Sequence, residues 1–503
     1  MLLRKLRSAS STVMDKGRTY PFRFKDNTTT NNNLPKISLS LLVFLLLWFL
    51  LLYFCFFPSN STTHKAHPSV PTVTPGKEAI LNTDSTHRQS LTTTTVSEGT
   101  EIETETKSPL TVPLCDGSVR IYIYDLPSRF NLGLLKDCRH LNVYTDMCPH
   151  VANRGLGQPL PHMGPNWFAT HQFIAEMIFH ARVENHPCRT SDPDEATLFY
   201  VPFYGGLHVS SKFRESDLVE RDRLTLDLVE HLSHLPTWQK HQGRDHFLAL
   251  GRTAWDFMRN PNAPDFGANC LLNLPRVKNM SVLTVERHPW EGSNQHGIPY
   301  SSYFHPMSSH EMLTWQEELR RIERPHLFSF VGAPRKGLEK AAIRDEILRQ
   351  CTESTRCNLL KCETGASKCH QPEEVMKVMR VSQFCMQAPG DSFTRRSTFD
   401  SVLAGCIPVF FSPHTAYSQY AWYLPAEPSE YSVYIAEEDG KRIEEVLTKI
   451  PIERVEKMRS RVIDMIPRIT YVHPNATNIG FPDAVDVALA ELSKHVQSKI
   501  LDI

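Results

Sequence analysis

VSQFCMQAPGDSFTRRSTFDSVLAGCIPVFF, Val381–Phe411, holds a short polar-to-apolar helix pattern followed by a Gly and an apolar strand pattern. The strand pattern is CIPVFF, and VSQFCMQAP leads into the helix. Between them Phe399, Val402 and Leu403 fall at i, i+3, i+4, so one helical face can pack on a core. Ser392 or Thr394 can cap the helix start, and Gly405 suits the position just past its end. Arg395 and Arg396 then fall in the first turn, where the backbone is already positive. An anion held by free N–H groups and one or two guanidinium groups would resolve that conflict. Asp400, four residues past Arg396, could accept hydrogen bonds from ribose hydroxyls. The bland alternative is a surface Arg396–Asp400 pair.

FVGAPRKG, Phe330–Gly337, repeats the pattern upstream. A strand ends at Gly332, and Arg335 and Lys336 are expected to open the next helix, with Pro334 near its start. Two basic helix starts on one sheet suit a diphosphate better than either alone; solvated charges are the alternative. There is no GxGxxG and no GxxxxGK[ST], which disfavours a P-loop kinase or a standard dinucleotide dehydrogenase.

Outward from there, strand and helix patterns alternate along much of the chain. RIYIYDL (Arg120–Leu126), TLFYVPFY (Thr197–Tyr204), HFLALGR (His246–Arg252), MSVLTVE (Met280–Glu286), HLFSFVGA (His326–Ala333) and SVYIAEED (Ser432–Asp439) read as strands. Trp167–Val183, Glu215–Leu235, the run from Pro334 to Cys351, Pro372–Arg380, Ile452–Ile466 and Pro482–Ile503 read as helices. Such alternation implies layered α/β domains with parallel sheets. Ligands in such folds sit at the carboxyl ends of strands and in clefts between domains. DPD (Asp192–Asp194) precedes a strand rather than following one, and reads as a turn.

The N-terminal part differs in composition. Eight basic and two acidic residues precede Ile37, and ISLSLLVFLLLWFLLLYFCFF, Ile37–Phe57, is uncharged and nearly all apolar. About 20 such residues span a bilayer core, whereas a cleaved signal peptide has a shorter apolar region ending in small residues. The basic flank places the N-terminus in the cytosol. The Ser/Thr/Pro/Glu-rich stretch 58–113 cannot bury enough apolar surface to fold and reads as a disordered stalk. The expected organisation is a cytosolic tail 1–36, an anchor 37–57, a stalk 58–113, and two domains at 114–322 and 323–503.

Eleven of the twelve cysteines follow the anchor, in a compartment where disulfides form. The odd number leaves at least one unpaired unless it bridges chains. CTESTRCNLLKCETGASKC (Cys351–Cys369) lacks the paired CxxC of zinc sites, so disulfides are favoured there and no metal site is expected. Sequons at Asn60, Asn279 and Asn475 are available for glycosylation. Lysine plus arginine equals aspartate plus glutamate at 55 each, which argues against nucleic acid as a partner.

FCMQAPGDSFTRRSTFDSVLAGCIPVFF, TSDPDEATLFYVPFY, RIYIYDLPSRFN and VGAPRKG together resemble the exostosin-like glycosyltransferases, family 47. GRDHFLALGRTAWDF, GIPYSSYFHP and SPHTAYSQYAWYLP narrow the resemblance to the plant xyloglucan galactosyltransferase branch. It runs from about Cys115 to Leu489. It implies a GT-B fold, two Rossmann-like domains facing a cleft, the C-terminal one holding a nucleotide sugar. It also implies inverting transfer of galactose from UDP-galactose to O2 of xylose on xyloglucan, with no cofactor and no essential metal. The anchor matches single-pass type II Golgi membrane enzymes, whose partners include other Golgi transferases.

The resemblance places Gly332, Arg335 and, more weakly, Lys336 on the nucleotide sugar. It adds Gly390, Ser392, Arg395 or Arg396, Ser397 and Asp400. Inversion needs a general base, expected at a strand end of the first domain. Glu286 ranks first, then Asp256, then Asp125. Each has a bland alternative as a cap or a salt bridge to Arg252 or Arg287. Trp167, Tyr204, Trp290, Tyr300 and Tyr303 are the aromatic candidates for stacking on a glucan, expected to be exposed. Transfer of another UDP-sugar, such as galacturonic acid or arabinose, and a non-catalytic glycan-binding scaffold are the competing readings.

Overall fold

Two parallel sheets carry the molecule. The first comprises β1 (Ile121–Ile123), β2 (Arg189–Thr190), β3 (Leu198–Val201), β4 (His246–Thr253), β5 (Ser281–Glu286) and β6 (Gln295–Gly297), in the order β2-β1-β3-β4-β5-β6. Every pairing is parallel. β3 and β5 are buried along their whole length. Parallel strands are covered on both faces, which is why these segments read as continuous apolar runs rather than alternating ones. Helices α1 (Ala175–Glu184), α2 (Gly205–Lys212) and α3 (Leu218–Ser233) accompany this sheet. Asp217 caps α3 by accepting from the Val219 N–H at 2.9 Å.

The computed structural model describes Cys115 and residues 119–501, apart from 262, 264–266, 363–367 and 478. The expected tail, anchor and stalk, with Asn60, lie outside the described residues. Among the described residues no helix is long and apolar enough to cross a membrane.

The second sheet comprises β7 (His326–Gly332), β8 (Cys357–Lys361), β9 (Ser382–Gln387), β10 (Ile407–Phe410) and β11 (Val433–Tyr434). Its order is β11-β10-β9-β7-β8, again all parallel. The strand order reverses between β7 and β9, and that switch point is where open α/β sheets bind ligands. Helix α4 (Ser309–Arg321) leads into this sheet, and α5 (Ile343–Glu353), α6 (Pro372–Arg380) and α7 (Arg396–Leu403) connect its strands. Phe399, Val402 and Leu403 of α7 are buried. Each such side chain contributes about 1.5–3 kcal/mol. Gly405 follows at φ +62°, the left-handed stop expected from the sequence.

The two halves share one apolar cluster, in which Phe247 and Leu283 of the first sheet join Phe384, Phe399 and Val409 of the second. Helix α8 (Ile452–Asp464) and helix α9 (Ala484–Leu501) follow β11. At the start of α9, Asp483 accepts from Arg182 Nε of α1 at 2.9 Å, and Asp486 accepts from His186 Nε2 at 2.8 Å, all buried. The C-terminal segment thus fastens back onto the first half.

Cysteines pair as Cys115–Cys188, Cys138–Cys148, Cys351–Cys357, Cys362–Cys369 and Cys385–Cys406. Cys270 is free and buried. The Cys351–Cys369 cluster is therefore two disulfides. Cys385–Cys406 joins β9 to the residue before β10, so its loop encloses all of α7.

Several expected elements are shorter. In Trp167–Val183 only the part from Ala175 is helical. Upstream, side chains take over backbone groups: Thr170 Oγ1 donates to the Leu156 carbonyl at 2.7 Å, and His171 Nδ1 accepts the Phe173 N–H at 3.2 Å. The helix expected from Pro334 begins only at Ile343, after a 3-10 turn Glu339–Ala341 entered from an extended Leu338. Arg335 and Lys336 thus sit in a loop, not on a helix start. Of Ser432–Asp439 only Val433–Tyr434 pairs as strand. Asp192–Asp194 is a turn, closed by the Asp194 N–H on Asp192 Oδ1 at 2.9 Å.

Candidate active site

Glu286 is the last residue of β5 and has no exposed surface. Its Oε1 accepts from Trp255 Nε1 at 2.8 Å, and its Oε2 accepts from the Thr394 N–H at 2.9 Å. The Thr394 hydroxyl also donates to Oε2. Thr394 lies just before α7, so a carboxylate of the first sheet meets the helix start of the second. The backbone around Glu286 is held from the same side. Tyr420 Oη donates to the Val285 carbonyl at 2.7 Å. The Gln419 amide accepts from the Arg287 N–H at 2.8 Å and donates to its carbonyl at 3.1 Å.

The other two carboxylates are placed differently. Asp256 accepts from Arg252 Nε at 2.8 Å and from Thr253 Oγ1 at 3.1 Å, the bland salt bridge. Asp125 is exposed after β1. β1 and β5 are three strand spacings apart, about 14 Å at ~4.8 Å each. Of the three, only Glu286 meets the loop before α7.

Around the switch point four cations converge. Arg335 pairs with Asp391 at 3.3 Å and is exposed. Lys340 donates to the Asp391 carbonyl at 2.7 Å and lies 5.1 Å from the Phe393 ring centre. Arg344 donates to the carbonyls of Pro389 at 2.8 Å and Ala333 at 2.6 Å. Arg395 donates to the Thr394 carbonyl at 3.1 Å. It has no carboxylate within 4.0 Å among the described residues. Burial lowers the pKa of Lys340 and of Arg395, and pushes Arg344 down to about 10. Their electrostatic partners of opposite charge are Asp391 and Glu286. Four cations face two carboxylates, so a dianion would balance the site. Gly390 belongs there for a steric reason: a Cβ would stand 1.7 Å from Arg395 Nη2.

Lys340 and Arg344 were missed in the sequence. Both were hidden inside an expected helix, and the only signal was a third and fourth cation downstream of VGAPRKG. Of the remaining candidates, Gly332 ends β7, and its carbonyl takes the Cys362 N–H at 2.9 Å. Ser392 lies 3.5 Å from Arg395 Nη1, and Ser397 Oγ donates to Gln387 Oε1 at 2.6 Å at the end of β9. Lys336 is exposed.

Arg396 and Asp400 correct the reading of the arginine pair. Arg395, extended at φ −146°, is the N-cap residue, and neither Ser392 nor Thr394 caps α7; the Thr394 hydroxyl is spent on Glu286. Arg396 turns away from the cleft. Its Nε is 3.4 Å from Asp400, its Nη1 donates to the Thr170 carbonyl at 2.7 Å, and it lies over the Tyr303 ring at 3.7 Å. Asp400 is buried and also accepts from Ser302 Oγ at 2.6 Å. Burial raises its pKa against the pull of Arg396. The pair exists, but as a buried fastener between halves, and Asp400 is not open to a ribose.

Four of the five aromatic candidates are core residues. Trp167 packs edge-on to Trp315 at 5.0 Å, and the Tyr204 hydroxyl is 2.9 Å from His180 Nδ1. Tyr300 bonds Thr394 and Tyr303 lies under Arg396. Only Trp290, 61% exposed, is available as a platform. A file of rings leads to it from Glu286: Trp255 to His288 at 4.3 Å, then His288 to Trp290 at 5.7 Å. Phe393 and His414 flank Trp290 from the second half at 5.9 and 5.2 Å.

Of the sequons, Asn475 is exposed, while the Asn279 amide donates to the Gln242 carbonyl at 2.9 Å.

Glu176, which sequence reading passed over, is wholly buried in α1. It accepts from the N–H groups of Gly206 at 2.8 Å, Leu207 at 2.8 Å and Gly251 at 3.0 Å. It thus ties the first turn of α2 to β4. Burial pushes its carboxyl up to about 7 despite these bonds.

The chain is 63% identical over 387 residues to probable xyloglucan galactosyltransferase GT17 of Arabidopsis thaliana, covering 77% of this chain and 85% of that one. It is 44% identical over 382 residues to xyloglucan galactosyltransferase MUR3 of the same plant, covering 74% and 61%. Xyloglucan-specific galacturonosyltransferase 1 of that plant is 40% identical over 394 residues, covering 77% and 58%. A crystal structure of Anabaena Alr3699/HepE with UDP and glucose aligns at a TM-score of 0.29 and 9% identity, over 61% of this chain and 79% of that one, too slight a likeness to carry an argument. The exostosin GT47 domain matches residues 115–450, well over half of the sequence, and the chain belongs to that glycosyltransferase family.

Proposed function

We propose that the chain is a xyloglucan glycosyltransferase that moves galactose from UDP-galactose to O2 of xylose side chains, with inversion. The observation that carries this reading is the placement of four cations at the switch point of the second sheet, facing one strand-end carboxylate of the first. The names of the relatives supply the acceptor and the sugar.

In this reading the acceptor hydroxyl attacks the anomeric carbon from the side opposite UDP. The new C–O bond forms as the bond to the β-phosphate oxygen breaks, and Glu286 takes the hydroxyl proton. Arg395, Arg344, Lys340 and Arg335 stabilise the charge that gathers on the departing diphosphate. That charge balance motivates transfer without an essential metal, so activity is expected to persist in excess chelator. Trp290 is the platform for the glucan. The run Ile37–Phe57 is read as a single-pass anchor in the Golgi membrane, with the body lumenal.

The test is a donor panel with the full-length chain and xyloglucan oligosaccharides. Turnover from UDP-galactose and not from UDP-galacturonic acid or UDP-arabinose is expected. Preference for either of the others reassigns the donor, and no turnover with any donor favours a glycan-binding scaffold. Glu286→Gln is expected to bind UDP normally and lose turnover at least a hundredfold, the scale of general base catalysis.

A further inference from the structure

We infer that Thr394 is a positioning residue for proton removal, holding the Glu286 carboxylate from the half of the molecule that binds the leaving group. The inference rests on the reading of Glu286 as the base. A carboxylate offers about four lone-pair positions. Thr394 fills two of them on Oε2, with its N–H and its hydroxyl, and Trp255 fills one on Oε1. One lone-pair position on Oε1 has no donor among the described residues.

The direction of the hydrogen bonds follows from proton count. The Tyr300 hydroxyl lies 2.9 Å from Thr394 Oγ1. Thr394 has one hydroxyl proton, and an ionised carboxylate can only accept. Thr394 therefore donates to Glu286, and Tyr300 donates to Thr394. The chain of donors points at the carboxylate, and donors to the charged form favour that form. Tyr300 and Thr394 are both buried, so the chain is sheltered from water.

Other groups face Glu286 as well. Lys340 and Arg395 approach from the second half, Tyr420 from the segment after β10, and His288 from two residues along. Burial lowers the pKa of His288. Of these only Tyr420 also touches the Thr394 side chain, so Lys340, Arg395 and His288 keep their places when the Thr394 hydroxyl is removed. Thr394 also belongs to the segment that carries Gly390, Ser392 and Arg395. A shift of that segment when a diphosphate binds is transmitted to the carboxylate through two hydrogen bonds.

The experiment measures kcat/KM against pH for the full-length chain, together with UDP affinity and Tm. Thr394→Val keeps the shape and deletes the hydroxyl. Its acid limb is expected to move up by about one pH unit, with UDP affinity within about threefold of the parent. Thr394→Ser restores the limb. A purely structural role lowers Tm without moving the limb. An unmoved limb in Thr394→Val, or a moved one that serine does not restore, overturns the inference. If the valine variant fails to fold, Tyr300→Phe is read instead, with a shift of the same sign and about half the size, and an unmoved limb there overturns it equally. Glu286→Gln separates the two layers. If it retains turnover the base assignment fails; if it is inactive while the Thr394 and Tyr300 limbs stay put, only the present inference falls.

Discussion

Arg395 and Arg396 are neighbours in the chain and opposites in the fold. Arg395 joins Arg335, Lys340 and Arg344 at the switch point, where cations outnumber carboxylates. Arg396 joins a second region, the seam between the halves, where the arginine has its carboxylate: Arg396 with Asp400, and Arg182 with Asp483. Balanced buried charge fastens; unbalanced charge waits for a ligand. The same residue type thus reports two functions, and the discriminating observation is the local charge count rather than the motif.

The largest effect should come from the seam. A buried ion pair is weak evidence of net stability, but removing one partner leaves the other charge uncompensated, at a cost of about 3–5 kcal/mol. Arg182→Met and Arg396→Met are each expected to lower unfolding stability by that order in thermal or denaturant melts. The folded fraction of Arg396→Met should still bind UDP. Loss of UDP affinity without loss of stability would move Arg396 into the cleft and dissolve the contrast.

Arg395→Ala should behave in the reverse way. It removes a charge-assisted contact to the proposed diphosphate, a loss of about 2 kcal/mol or roughly thirtyfold in UDP affinity. Its melting curve should change little, since no carboxylate is abandoned. Arg335→Ala should lose less, because its side chain is 44% exposed and solvent screens it. Equal losses at Arg335 and Arg395 would show that burial does not rank the cations.

β3 and β5 were legible because fully buried parallel strands are unbroken apolar runs, whereas β2, β6, β8 and β9 were not expected as strands. The α7 face was legible from i, i+3, i+4 spacing. Long-range partnerships were not. Nothing local says that the Thr394 N–H reaches a carboxylate 108 positions away, or that Asp400 is covered by Ser302 from 98 positions away. Aromatic exposure failed for the same reason: Trp167 and Tyr204 are core residues by virtue of what folds over them. The place of Glu286 at the end of β5 was legible because a strand end is a local feature. The helix-start rule failed at Arg335 because an extended Leu338 delays α5 to Ile343.

Glu176 tests the contrast at its margin, because it is a buried carboxylate with three N–H donors and no arginine of its own; nearby Arg252 is committed to Asp256. Its carboxyl is pushed from 4.5 up to about 7 by burial. The sign follows from proton counts. Below pH 4.5 the folded and unfolded chains both hold the proton, and the group contributes no pH dependence. Between 4.5 and about 7 the unfolded chain releases it while the folded chain keeps it, so stability falls as pH rises. Above that window both are ionised and the slope vanishes. Within the window the loss is about 1.4 kcal/mol per pH unit. Glu176→Gln carries no titrating proton and should flatten the slope of stability against pH between pH 5 and 6.5, whatever constant offset the amide introduces. Parallel wild-type and variant curves would mean that the three backbone N–H groups and the nearby Arg252 hold the carboxylate ionised, and that a paired arginine is not required for every buried acid in this fold.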